Sequence, residues 1–249
     1  MASHSQCVVG MTTNAQLRKQ PIESGSGRPR RGYLLADGRK VPSVTEILGA
    51  TGGSKPGLER WLMKNGFGAE RLKSEALHVG GATHDAIEDE IHGRSGEALI
   101  ESRGLADGLE FQAQCALAGW KKWRAGSGAR YRFIGTELPF VSEKYQFGGT
   151  IDALMMDLET GEFLIGEWKT SKRFNVEMPL QIAAYALLLA ECRDIEVSGA
   201  IVVKCSKMEA EWRELNIGDP VLPKAKKEFV RRRLSHHHTQ EIARFYGLG

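Results

Sequence analysis

The chain has 249 residues, with 41% hydrophobic and 26% charged side chains and a formal net charge of +3. These are ordinary values for a soluble globular chain long enough to bury a sizeable core, and no apolar run reaches the roughly 18 residues of a membrane span. The charge balance does not announce nucleic acid, and the four cysteines (Cys7, Cys115, Cys192, Cys205) form no CxxC pair, which argues against a zinc knuckle or a disulfide framework and for a reducing compartment.

Residues 1–31 are polar, rich in Gly and Ser, and end in Arg28-Pro-Arg-Arg31. They read as a flexible tail; their poverty in acids leaves a transit peptide as a second reading. Residues 32–249 read as one domain. Tyr33 to Val41 is a hairpin about the Asp37-Gly38 turn, and Ser43-Val-Thr-Glu46 is a capping box that opens a short helix ended by Gly49–Gly53. Gly49 to Lys55 is not a phosphate-binding P-loop, because Ser54 precedes Lys55 and Pro56 follows it, where Gly and Ser/Thr are needed. Residues 57–92 are helical in period, Gly93 to about Gly104 is a break, and Leu105–Ala125 is a further helix. From Tyr131 the period turns to two: strands are expected at 131–141, 146–157 and 162–170, a helix at 178–192, a strand pair at 196–205 and 210–216, and a final basic helix at 221–245. The longest apolar run, Ile182 to Ala190, contains Tyr185 and lies in the helix at 178–192. The order implies a mixed α/β layer.

The third strand, Phe-Leu-Ile-Gly-Glu-Trp-Lys over 163–169, is apolar until it places Glu167 and Lys169 two residues apart on one face. Asp157 to Glu162 reads as a hairpin with a four-residue loop, and that closure puts Asp152 directly across from Glu167. Opposed side chains have Cβ atoms roughly 4.5–5.5 Å apart, and like charges there destabilise a sheet. Two such carboxylates make sense around a hard divalent cation such as magnesium, with Lys169 placed to orient a water or offset charge on a reacting phosphate. An isolated acid-x-lysine pair is otherwise an ordinary surface ion pair.

Two further clusters bear on that choice. His84, Ile87, Glu88 and Ile91 share one helical face, so His84 and Glu88 sit on an apolar stripe where polar groups are costly unless partnered. Gln181 and Tyr185 lie one turn apart on the helix after the Glu-x-Lys strand.

Together these segments resemble the PD-(D/E)XK nuclease superfamily, in particular its RecB-like exonuclease branch, whose free-standing members include phage-type and mitochondrial genome-maintenance-type exonucleases. The resemblance rests on Pro42-Ser-Val-Thr-Glu-Ile-Leu48, Gly81-x-x-His84-x-x-x-Glu88, Gly148-Gly-Thr-Ile-Asp152, Glu167-Trp-Lys169-Thr170 and Gln181-x-x-x-Tyr185, in that order over residues 40–205. It implies an α/β fold with a restriction-endonuclease-like core, a central mixed sheet flanked by helices and carrying helical insertions. It implies Asp152, Glu167 and Lys169 as catalytic residues, and His84, Asp152, Glu167 and the Trp168 carbonyl as ligands of Mg²⁺ or Mn²⁺. Gln181, Tyr185, Thr170, Lys172, Glu88 and Glu137 would line the site or meet DNA, Glu88 as a partner of His84 and Glu137 matching an acid found on the preceding strand. Relatives that carry an iron–sulfur cluster hold four cysteines with a tight group after the core; only Cys192 and Cys205 lie there, so no cluster is expected.

The expected activity is that of a monomeric, intracellular DNA exonuclease acting on single strands or free ends, in a bacterial or phage cytoplasm or a mitochondrial matrix. An endonuclease of the same fold and a silent DNA-binding module are the alternatives. Trp120, Trp123, Tyr131 and Phe174 are either packing residues or stacking platforms for bases, and residues 93–130 are expected as an arch or lid over the strand. His236-His-His238 point about 100° apart on a helix and read as exposed rather than as a chelate.

Overall fold

The computed structural model describes residues 32–53 and 56–248; the expected tail at 1–31, and Ser54 and Lys55, lie outside them. Five segments become one mixed sheet in the order β3-β4-β5-β6-β7, formed by Tyr131–Ser142, Phe147–Asp157, Phe163–Lys169, Gly199–Cys205 and Trp212–Ile217. β3, β4 and β5 form an antiparallel meander. β5 and β6 are parallel, joined through a helix, α6 (Glu177–Arg193), and β7 returns antiparallel to β6. A two-stranded hairpin, β1 (Tyr33–Leu34) and β2 (Lys40–Val41), stands apart.

β4 is buried at every position but Met156, as a central strand covered on both faces requires. One face packs against α1 (Val44–Thr51), α6 and α7 (Val221–Phe245) through Ile47, Leu154, Ile165, Leu188 and Phe229. The other packs against α3 (Ala69–Ile91), α4 (Gly96–Ser102) and α5 (Asp107–Ala125) through Ile87, Ile100, Leu117, Trp123 and Met155. α2 (Pro56–Asn65) precedes α3 across a short turn whose Gly66 takes φ of 47°. This is the mixed α/β sandwich expected of a restriction-endonuclease-like core.

The start of α1 is set by the expected capping box: the Ser43 Oγ accepts from the Glu46 N–H at 3.1 Å, and the Glu46 carboxylate accepts from the Ser43 N–H at 2.7 Å. The Gly148 N–H donates to the Pro42 carbonyl at 3.0 Å, tying this helix to β4. Glycine is needed at 148 and 149 for close approach. A Cβ at 148 would lie 2.1 Å from the Tyr33 ring, and one at 149 would lie 2.8 Å from the Tyr185 ring.

Three expectations are corrected. The break at 93–104 contains a helix, α4, whose N-cap Ser95 accepts from the Ala98 N–H at 3.2 Å. Residues 93–130 form no arch: α5 lies on the sheet, α4 packs against α3 and α5, and Trp120, Trp123 and Tyr131 are buried in that interface. His236 is buried against the body of the protein rather than exposed, because α7 presents Leu222, Ala225, Phe229, Arg233 and His236 along one stripe.

Candidate active site

The hairpin closure assumed from sequence holds: the Asp157 N–H donates to the Glu162 carbonyl at 2.9 Å. The β4–β5 register runs from Met156↔Phe163 to Ala153↔Gly166, so the next opposed pair is Asp152 and Glu167. The ladder stops there. The Trp168 N–H donates to the Asp152 carboxylate at 2.8 Å instead of to a strand carbonyl, while β5 continues its pairing with β6 through Lys169↔Lys204. On the other side of β4, Thr136↔Ala153 and Leu138↔Ile151 flank Glu137 and Asp152. Glu137, Asp152 and Glu167 therefore form one row of three carboxylates across three neighbouring strands. Glu137 takes φ of 46°, a left-handed conformation uncommon for a non-glycine residue in a strand.

α3 brings His84 to this row. Its Nδ1 lies 3.4 Å from the Asp152 Oδ2, and donor atoms of His84, Glu137 and Asp152 all lie within 4.8 Å of one another. Glu167, 2% exposed, faces the opposite way along β5 from the Trp168 ring. Its Oε1 accepts from the Lys169 Nζ at 2.5 Å and from the Gln181 Nε2 at 2.8 Å. The same Gln181 amide donates to the Tyr185 hydroxyl at 2.8 Å. The Glu167 Oε2 is buried and has no hydrogen-bond partner among the described residues. Trp168 anchors the strand on the other face, with ring centroids 5.4 Å from Trp123 and 5.9 Å from Trp120.

The charges respond to this crowding. Burial, then the Asp152 charge, pushes the Glu137 carboxyl up to about 8 and the Glu167 carboxyl up to about 7, against the pull of Lys169. Burial alone would raise Asp152, but the charge and hydrogen bond of His84, with Lys169 and the Trp168 N–H, hold it below its usual value. Burial disfavours a charged His84, yet Asp152 overrides it and lifts the imidazole to about 9. Burial, then the Glu167 charge, keeps the Tyr185 phenol neutral far into the alkaline range.

A buried carboxylate oxygen without a partner, three carboxylates in a row and a converging imidazole are what a hard divalent cation would satisfy. The donors present fit such an ion: those of His84, Glu137 and Asp152 converge, and Glu167, next in the strand register, has a buried Oε2 with no hydrogen-bond partner among the described residues.

The remaining expected residues fall around this centre. A Cβ on Gly80 of α3 would lie 3.6 Å from the Thr170 Oγ1, so Thr170 rests against the turn before His84. Lys172 is exposed, and its carbonyl accepts from the Lys204 Nζ at 3.3 Å. Glu88 makes no hydrogen bond to His84 among the described residues; burial raises its pKa, with the His92 charge opposing. A cleft of about 330 Å³ opens beside Lys169 and Gln181 and is walled by Thr45, Gly49, Ser171 and Asn175. The resemblance gave Glu137 only a site-lining place; in the structure its carboxylate lies with the donor atoms of His84 and Asp152.

A mixed sheet whose central strands splay at an acid-x-lysine pair, with a histidine from a preceding helix above them, defines a fold and a site together. The chain belongs to the PD-(D/E)XK nuclease superfamily, whose family model matches residues 60–245. Members use divalent metal ions to hydrolyse phosphodiester bonds. Among solved structures it is similar to the protein SSO0001, with 17% identity over 61% of this chain and 72% of that one and a TM-score of 0.30. It is also similar to a protein of Eubacterium rectale described as a candidate exonuclease, with 12% identity over 65% of this chain and 68% of that one and a TM-score of 0.40. No curated protein matches the chain. No helix among the described residues is long and apolar enough to cross a membrane.

Proposed function

We propose that the protein is a divalent-metal-dependent deoxyribonuclease of the RecB-like exonuclease branch, removing nucleotides from the free ends of single-stranded DNA in replication, recombination or repair. The observation that carries this reading is the carboxylate row Glu137–Asp152–Glu167 with His84 above it and Lys169 bonded to Glu167. Such a row is costly to a fold unless a cation offsets it, and a divalent cation there could bind and polarise a phosphodiester.

His84, Glu137, Asp152 and Glu167 would hold Mg²⁺ or Mn²⁺, with the Trp168 carbonyl as a further donor. The ion would polarise the scissile phosphate and make the attacking water more acidic. Lys169 donates to Glu167 and would stand where its ammonium could orient that water or offset charge growing on the phosphate oxygens. Gln181 fixes Glu167 through one amide nitrogen and is itself braced by Tyr185, so the carboxylate is held before substrate arrives. Thr170, Lys172 and Glu88 lie at the margin, where they would steer the strand or tune the centre. The chain would act as a monomer inside the cell.

The test is nucleotide release from end-labelled linear single-stranded DNA, with Mg²⁺ and with Mn²⁺, beside a closed circle of the same sequence. Release from the linear form alone is the expected result. Cutting of the circle would assign an endonuclease, and binding without cleavage in either metal would assign a silent DNA-binding module.

A further inference from the structure

The sheet carries a second row of like charges, next to the first. In the parallel register of β5 and β6, Lys169 is opposed to Lys204, and in the antiparallel register of β6 and β7, Lys204 is opposed to Arg213. The three cations lie on one face. Val202 and Leu215, two residues along from Lys204 and Arg213, pack on the same side of the sheet as α6, and strand neighbours two apart share a face. It is also the face of Glu167.

Two more lysines close on this row. The Lys204 Nζ donates to the Lys172 carbonyl at 3.3 Å. Burial, with the Lys172 charge beside it, holds the Lys207 ammonium below the usual lysine range. None of Lys172, Lys204, Lys207 and Arg213 has a carboxylate within salt-bridge distance among the described residues, whereas cations elsewhere on the surface, such as Lys121, Arg130 and Arg231, do. Glu211, in the turn between β6 and β7, is taken up by Lys122 at 3.7 Å. Directly opposed like charges destabilise a sheet, and beyond Glu167, which pairs with Lys169 at one end of the row, no acid among the described residues lies within salt-bridge distance of them.

We infer that Lys204 and Arg213, with Lys172 and Lys207, form a track for the phosphodiester backbone of a nucleic-acid strand, running from Lys169 across β6 to the β7 edge of the sheet. The inference rests on the nuclease reading and adds the direction in which the strand leaves the carboxylate row. Arg213 and Lys204 meet phosphates, not the scissile bond, so they position the strand and set affinity rather than turnover.

The test is fluorescence anisotropy of a labelled single-stranded DNA oligonucleotide in EDTA, over a range of salt, comparing the wild type with the K204Q/R213Q and K204R/R213K variants. The track predicts that K204Q/R213Q weakens binding about tenfold and lowers the slope of log affinity against log salt by about 1.4, since each phosphate contact on a single strand contributes about 0.7. K204R/R213K should keep the wild-type slope, and hydrolysis of bis(p-nitrophenyl) phosphate, which has no strand to hold, should be unchanged in both variants. Unchanged affinity and slope in K204Q/R213Q would overturn the track, as would a loss in K204R/R213K equal to that in K204Q/R213Q. Wild-type binding that depends on the row, with no cleavage in Mg²⁺ or Mn²⁺, would overturn the nuclease reading and leave the track standing.

Discussion

Two rows of like charge share strand β5 and differ in almost everything else. Glu137, Asp152 and Glu167 cross β3 to β5 under cover of α3 and α6, and Asp152 and Glu167 are at most 9% exposed. Lys169, Lys204 and Arg213 cross β5 to β7 toward an open edge. Burial decides how each row bears its repulsion. The buried acids shift their pKa values and gather an imidazole, an ammonium and an amide as partners. The cation row runs from the half-buried Lys169 and Lys204 to the exposed Arg213, so solvent can screen part of its repulsion. A buried row would be satisfied by a bound cation, while a row that reaches solvent could serve weaker and interchangeable anionic contacts.

The largest effect should follow from breaking the buried row. Asp152→Asn, Glu167→Gln and Lys169→Ala should each lower DNA hydrolysis by at least on the order of 10² to 10³ while leaving the circular dichroism spectrum intact. The carboxamide introduced by Asp152→Asn would still offer an oxygen to the Trp168 N–H. Near-normal turnover in any of the three would remove that residue from the site.

The aromatic anchor on the far face of β5 should act on stability instead. Trp168 is 2% exposed and touches Trp120, Trp123 and Phe133, so Trp168→Ala should cost about 3–5 kcal/mol in urea unfolding. A loss under ~1 kcal/mol would mean that the cluster does not hold the strand.

The pH response sharpens the comparison further. Glu137 at about 8, Glu167 at about 7 and His84 at about 9 are all raised in the folded chain. The folded protein then binds more protons than the unfolded one, so stability falls as pH rises. The carboxyl contributions are fully present below their unfolded value of 4.5 and are lost as pH passes about 7 and about 8. The His84 contribution, whole below 6.5, is lost through about 9. Metal-free protein should therefore melt at a lower temperature at high pH, and Mg²⁺ should raise the Tm more above pH ~8 than below ~6, because an ion takes the place of those protons. A Tm independent of pH over that window, with and without Mg²⁺, would contradict the shared burial of these groups.

The smallest effect lies outside both rows. Ser43→Ala removes the cap of α1 and should cost about 1 kcal/mol without changing metal affinity, as read by thermal melts with and without Mn²⁺.

Much of the site could be read from sequence because the hairpin between β4 and β5 closes locally: Asp157 and Glu162 fix a register that carries Asp152 to Glu167. The place of Glu137 was not readable in the same way. The β3–β4 register shifts between Phe133 and Gly135, and no local pattern announces that irregularity or the left-handed φ at Glu137. The cation row was half visible, since Lys169 and Lys172 are neighbours in sequence, but Lys204 and Arg213 join them only through a parallel pairing across α6. Trp120 and Trp123, left open by the sequence between packing and base stacking, are core: with Ala113, Ala116 and Leu117 they mark one buried stripe of α5. α4 escaped notice because its seven residues lie between glycines and only the Ser95 cap signals it.

The measurement that bears most directly on the central claim is Mn²⁺ binding, followed by electron paramagnetic resonance at a pH above the Glu137 value of about 8, for the wild type, Glu137→Gln and Asp152→Asn. A row that holds one divalent ion predicts a saturable site in the wild type, weakened in Glu137→Gln and lost in Asp152→Asn, with the fold retained in both variants. Equal Mn²⁺ affinity in all three proteins would contradict it.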